Sequence, residues 1–134
     1  MIDIENELFT DIATAVRAEY PGIFVAGEYV SKPPSFPAVS IVEMDNSVYT
    51  NGVDSGGMEN FARVTYEVNV YSDKHNGRKA ECRKIIDFID NRFAAYGFAR
   101  AFLNPMPNMN DATIYRVTAR YRGVVSKDHY IYGR

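Results

Sequence analysis

Cysteine is nearly absent from this chain: Cys82 stands alone, which excludes an intramolecular disulfide and leaves no cysteine cluster for a structural zinc. Histidine is almost as scarce. His75 and His129 are the two, and a metal site built on them needs a third ligand that nothing in the sequence specifies. No apolar run approaches the roughly 20 residues that cross a bilayer, and Met1-Ile2-Asp3-Ile4-Glu5-Asn6-Glu7 is acidic where a secretory signal is basic. These scarcities predict a protein made and kept in a cytoplasm, without membrane contact, and stabilised by packing or by partner subunits.

What is present suits one folded domain. The chain has 134 residues, 46% of them hydrophobic and 24% charged, enough to bury a single core and too apolar to stay disordered. The net charge of −2 conceals an asymmetry: residues 1 to 73 carry 3 Lys/Arg and 12 Asp/Glu, residues 74 to 134 carry 12 and 5. Such halves either neutralise each other within the fold or present opposite signs on two surfaces that attract neighbouring copies. A pI of 5.7 argues against free, sequence-independent binding to nucleic acid, which needs a cationic surface.

Periodicity supplies the elements. Leu8, Ile12, Ala15 and Val16 recur at helical spacing between about Ile4 and Tyr20. Asp3 is placed to cap this helix and Pro21-Gly22 to end it. Short apolar runs at Ile23–Ala26 and Ala38–Met44 read as strands, separated by the proline-rich loop Ser31–Pro37. Asp45–Asn60 reads as a long connection or protruding hairpin. From Phe61 to Ser72 the chain alternates, with Ala62, Val64, Tyr66, Val68 and Val70 on one face of a strand. A second helix is expected over Arg78–Tyr96, its inward stripe running from Cys82 to Phe93 and its stop at Gly97. A short strand at Phe98–Leu103, a methionine-tipped loop at Asn104–Asp111, a strand at Ala112–Gly123 and an edge strand at Tyr130–Tyr132 complete the reading. The expected fold is α+β, a central, mostly antiparallel β-sheet flanked by two helices in the order α-β-β-β-α-β-β, forming one domain over residues 1–134.

No catalytic, cofactor-binding or metal-ligating constellation emerges. Cys82 lies on the apolar stripe of the second helix, where a thiolate is disfavoured. His75 sits in a polar turn, and His129 has no obvious partner. Asp87 and Asp90, one helical turn apart, read as surface ion-pairing residues beside Arg83 and Lys84. Asp45, Asp54 and Glu59 lack the alternation of a calcium loop, and Gly77-Arg78-Lys79 lacks the glycine-rich span of a phosphate loop. Binding or assembly, rather than catalysis, is the expectation.

Two features stand out. Arg116, Arg120 and Arg122 share one face of a strand, where like charges repel, so the row invites either the acidic first half of the chain or an external anion such as DNA phosphate. Two long loops carry Tyr49, Met58, Met106 and Met109, soft or aromatic side chains suited to a contact surface.

In architecture, length and texture the chain resembles the tail terminator or head-to-tail joining proteins of long-tailed bacteriophages. The resemblance rests on the first helix ending at Tyr20-Pro21-Gly22, the Lys32-Pro33-Pro34 loop before a strand, the Phe61–Tyr71 strand, the helix through Ile85-Ile86-Asp87-Phe88-Ile89, and the Arg116–Arg122 strand. It implies a structural virion protein of the neck or tail, assembled in the host cytoplasm without a cofactor. Such a protein forms a ring, hexameric as a rule, that caps the tail tube, halts its polymerisation and docks onto the head connector. The implied partners are further copies of the chain, the tail tube protein and the connector or adaptor protein, with non-specific contact to passing DNA along the arginine row. A neck adaptor or stopper between portal and tail fits the same features, and a small cytosolic ligand-binding domain or enzyme is the alternative from another class.

Overall fold

Leu8, Ile12 and Val16 form the buried stripe of a helix, α1 (Glu5–Glu19), in the computed structural model, which describes residues 1–49, 60–107 and 111–132. Asp3 Oδ1 accepts from the Glu5 N–H at 3.0 Å, just outside the cap position held by Ile4. Helix α2 (Arg78–Tyr96) buries Cys82, Ile85, Ile86, Ile89 and Phe93. It ends where Gly97 turns left-handed at φ +101. There Gly97 N–H donates to Ala94 O at 3.0 Å and Phe98 N–H to Phe93 O at 3.1 Å, satisfying carbonyls that have no partner within the helix.

The strands are β1 (Phe24–Ala26), β2 (Ala38–Val48), β3 (Phe61–Ser72), β4 (Ala99–Met106), β5 (Tyr115–Ser126) and β6 (Ile131–Tyr132). They form one sheet in the order β1-β2-β3-β5-β4, with β6 beside β5. Every pair is antiparallel except β1 with β2. The fold is α+β in the predicted order. Beside one-residue shifts and the extension of β5 from Gly123 to Ser126, three boundary differences have a clear physical cause. Strand β2 continues through Asp45 to Val48, because Ala62–Thr65 of the longer β3 pair with this stretch. Strand β4 runs to Met106, so Asn104–Met106 are strand rather than loop; proline lacks the N–H of a ladder and is tolerated at Pro105 because β4 lies at the sheet edge. Strand β5 begins at Tyr115 instead of Ala112, since Asp111 Oδ1 accepts from the Thr113 N–H (2.9 Å) and hydroxyl (2.6 Å) and holds Ala112–Ile114 in a turn.

Alternation sends Ala62, Val64, Tyr66, Val68 and Val70 of β3, with Val117, Ala119 and Tyr121 of β5, to the face that both helices cover. At its centre Phe93 stacks on Tyr121, their centroids 4.3 Å apart, and Phe98 meets Phe93 edge-on at 5.4 Å. Burial of such aromatic and aliphatic side chains, about 1.5–3 kcal/mol each, is what fixes the helices to the sheet.

Candidate assembly surface

The opposite sheet face is polar. The β3/β5 register sets Glu67 opposite Arg120, Asn69 opposite Thr118, Tyr71 opposite Arg116 and Thr65 opposite Arg122. The arginine row therefore lies on one face as the alternation predicts, with buried Thr118 between Arg116 and Arg120. Its mutual repulsion is met from within the chain. Arg116 Nε donates to Asn69 Oδ1 at 2.9 Å, and its guanidinium lies 5.7 Å from the centre of the Tyr71 ring. Arg120 Nε lies 3.5 Å from Glu67 Oε1, with the guanidinium 5.4 Å over the Phe102 ring. Arg122 is exposed and makes no ion pair with any described residue.

The acidic and basic halves of the sequence meet across the fold. Arg92 pairs with Asp11 at 3.3 Å, Arg120 with Glu67, and His129 Nδ1 lies 2.6 Å from Glu7 Oε1. Each joins an acid from before residue 74 to a base from after it. His129 thus has a partner, on α1, that its position in the sequence did not suggest. His75 is exposed in the turn before α2. Asp90 does not pair on its own helix: it accepts from Arg100 Nη1 at 3.1 Å and from the Tyr121 hydroxyl at 2.8 Å. Adjacent like-face cations Arg83 and Lys84 are bypassed because Asp90 is turned toward the sheet, half-buried.

Of the loop residues, Tyr49 and Met106 are described, and Met58 and Met109 lie outside the described residues. Tyr49 is half-buried at the end of β2, its N–H donating to Phe61 O at 3.0 Å and its ring 5.3 Å from the Arg63 guanidinium. Met106 is 41% exposed and closes β4 opposite Arg116. Because β2 ends where β3 begins and β4 ends where β5 begins, Tyr49 and Met106 occupy opposite ends of the sheet.

Among the described residues no three His, Cys, Asp or Glu side chains gather as a metal site, and no helix is long and apolar enough to cross a membrane. Cys82 is fully buried, its thiol pushed up to about 12 by burial and the neighbouring Glu81. Glu43, on β2, is held above the usual carboxylate range by burial, against the lowering effect of a 3.2 Å hydrogen bond from the Tyr66 hydroxyl; Asp3, Glu5 and Asp45 raise it further.

The sheet's two sides are unlike. On one, β4 is an outer strand with Ala99, Arg100, Ala101 and Asn104 exposed. On the other, β1 pairs only with Ala38–Ser40, so no described strand flanks Ile41–Val48 of β2 on that side, where Met44 and Val48 are each 49% exposed. The sequence reading missed Glu43 and Arg100. Neither belongs to a motif, and only strand order shows that they lie at opposite edges. The chain matches no protein-family model and no curated protein.

Proposed function

We propose that this protein is a structural component of a long-tailed bacteriophage, a tail terminator whose ring caps the tail tube and joins it to the head connector. The observation that carries the reading is the pair of unlike sheet edges, β4 on one side and Ile41–Val48 of β2 on the other, along neither of which a further described strand pairs. A contact between unlike patches is head-to-tail, and repeated with a closing rotation it yields a ring. The element order and the residues from Tyr20-Pro21-Gly22 to the Arg116–Arg122 strand support the phage assignment by resemblance. Tyr49 and Met106 at opposite ends of the sheet suit contacts with two different partners, tube on one side and connector on the other. With Arg116 and Arg120 engaged internally, Arg122 is the member of the arginine row left for passing DNA or for an acidic neighbour.

The test is the solution mass by light scattering over a concentration series, alone and with tail tube protein, followed by pull-down against tube and portal. A closed ring that binds the tube and stops its growth supports the terminator. Binding to portal alone moves the assignment to a neck adaptor. A monomer under every condition that binds neither protein overturns both.

A further inference from the structure

Arg63 of β3 extends the arginine row that β5 carries. It lies opposite Val124, two residues beyond Arg122 and on the same outer face. Like Arg122 it is exposed and makes no ion pair with any described residue. Arg120 and Arg122 are two residues apart on one strand, about 6.8 Å along it, and Arg122 and Arg63 are diagonal neighbours on adjacent strands, about 7–8 Å apart. Arg120, Arg122 and Arg63 thus form a continuous run across two strands, which no single stretch of sequence displays. Acids do not balance it. By register the outer face of β2, β3, β5 and β4 sets Arg63, Arg116, Arg120 and Arg122 against Asp45 and Glu67, a cationic surplus in a chain of net charge −2. Glu67 lies 3.5 Å from Arg120 Nε, which still lacks a hydrogen-bond partner among the described residues, and Asp45 accepts from the Ser47 hydroxyl at 3.4 Å. Helix α1, with Glu5, Glu7, Asp11 and Glu19, packs against the opposite sheet face, so these acids sit behind the row.

We propose that Arg120, Arg122 and Arg63 hold the phosphate backbone of duplex DNA without reading its sequence. This contact rests on the reading of the chain as part of a ring through which DNA passes, and it names the side chains that meet the DNA. Arginine forks bind phosphate oxygens, and contacts to the backbone position a protein without carrying sequence information. Two of the three are held ready: the Arg63 guanidinium lies 5.3 Å from the centre of the Tyr49 ring, and that of Arg120 lies 5.4 Å over Phe102. Stacking restrains the side chain while its N–H groups stay available at the rim. The same stacking selects duplex over single strand. Single-strand binders lay bases on open aromatic faces, whereas the rings of Tyr49, Tyr71 and Phe102 each already carry a guanidinium. Three contacts from one copy bind weakly, in keeping with a pI of 5.7, and a ring that repeats them gains avidity.

The test is fluorescence anisotropy of a labelled duplex titrated with the full chain across a salt series, with assembly followed in parallel by light scattering. On a log–log scale affinity falls with salt by about 0.9 per phosphate contacted. The slope is therefore expected to drop to about two-thirds in Arg122→Gln or Arg63→Gln and to about one-third in the double variant, however many subunits engage. Both positions are exposed, so the urea midpoint is expected to hold and rings to form as before. Lys79→Gln and Arg83→Gln, at exposed positions of α2 behind the sheet, are expected to leave the slope unchanged. Rings of the unaltered protein that bind no duplex overturn the contact and leave the ring standing. So do an unchanged slope in the double variant, an equal drop in the α2 variants, or tighter binding of a single strand of the same length. If the double variant no longer forms rings, the row faces a neighbouring copy and the duplex contact falls. Protein that stays monomeric, alone and with tube protein, yet binds duplex through these arginines sustains the contact and overturns the ring; monomers that bind neither overturn both.

Discussion

Phe93 and Tyr121 lie face to face, their planes 2° apart and their centroids at 4.3 Å, and this stack joins α2 to the middle of β5. Tyr121 also donates its hydroxyl to Asp90 on the same helix at 2.8 Å, so one residue supplies both an apolar and a polar link between helix and sheet. Removing the hydroxyl alone, as Tyr121→Phe, is expected to cost about 1–3 kcal/mol, because it also deprives the half-buried Asp90 of a donor. Phe93→Ala is expected to cost about 3–5 kcal/mol through the cavity it opens. Urea denaturation of both variants checks the order; equal losses would mean that the stack contributes nothing beyond the hydrogen bond.

Asn69 is the centre of the polar layer on the other sheet face. Its Oδ1 accepts from Arg116 Nε at 2.9 Å and from Thr118 Oγ1 at 2.6 Å, and its amide donates to Ser40 Oγ at 3.4 Å. With Asn69, Ser40 and Thr118 each 1% exposed, Asn69→Ala leaves buried hydroxyls without their partner. A loss of about 2–3 kcal/mol is expected. Thermal and urea melts measure it, and a loss below 0.5 kcal/mol, which is about the scatter of surface substitutions, would show that water replaces the amide.

Two glycines with positive φ should respond differently to alanine. At Gly97, φ +101, a Cβ would stand 2.5 Å from the Ile131 carbonyl oxygen, a backbone atom that cannot step aside without moving β6. At Gly22, φ +86, nothing lies within 4 Å. Gly22→Ala is expected to cost about 1–2 kcal/mol, the left-handed penalty alone, and Gly97→Ala clearly more. Hydrogen exchange should locate the additional loss at Ile131–Tyr132.

Alkaline pH should destabilise the fold. Burial pushes the Cys82 thiol up to about 12 from 9.0, and burial together with the hydrogen bond to Asp11 pushes Tyr96 up to about 12 from 10.0. Folded protein keeps these protons while the unfolded chain releases them, so the unfolded state binds fewer protons and stability falls as pH rises. Their contribution is intact below about pH 9 and is lost between pH 9 and 12, the buried Cys82 adding at most about 1.4 kcal/mol per pH unit and Tyr96 well below that, because solvent screens it. The urea midpoint is expected to decline from pH 8 through pH 11, less steeply in Cys82→Ala. At pH 8 a thiol reagent should label Cys82 only after unfolding; rapid labelling of the folded protein would contradict the buried placement.

Local rules act within a few residues, and the sequence by itself determined what they govern. Helical spacing from Leu8 to Val16 and from Cys82 to Phe93 fixed two helices. Pro21-Gly22 and Gly97 fixed their ends. Period-two alternation fixed the long strands and sorted Tyr66 from Glu67 and Tyr121 from Arg120, because side chains on a strand have only two faces to choose between. Strand ends were less legible where a neighbour decides them: β2 reaches Val48 because β3 extends alongside it, and Pro105 fits β4 because that strand happens to be an edge.

Pairing between distant segments belongs to the tertiary structure. The sequence shows an acidic and a basic half, and only the fold sets Asp11 against Arg92, Glu7 against His129 and Glu67 against Arg120. Charge acts through space, and composition does not specify which residues adjoin. Likewise Glu43 and Arg100 carry no motif, and their placement comes from strand order, which places β2 and β4 on opposite sides of one sheet and strings two tyrosines between them. That order follows from which apolar faces pack best under the two helices, a property of the whole core that no local stretch of the chain contains.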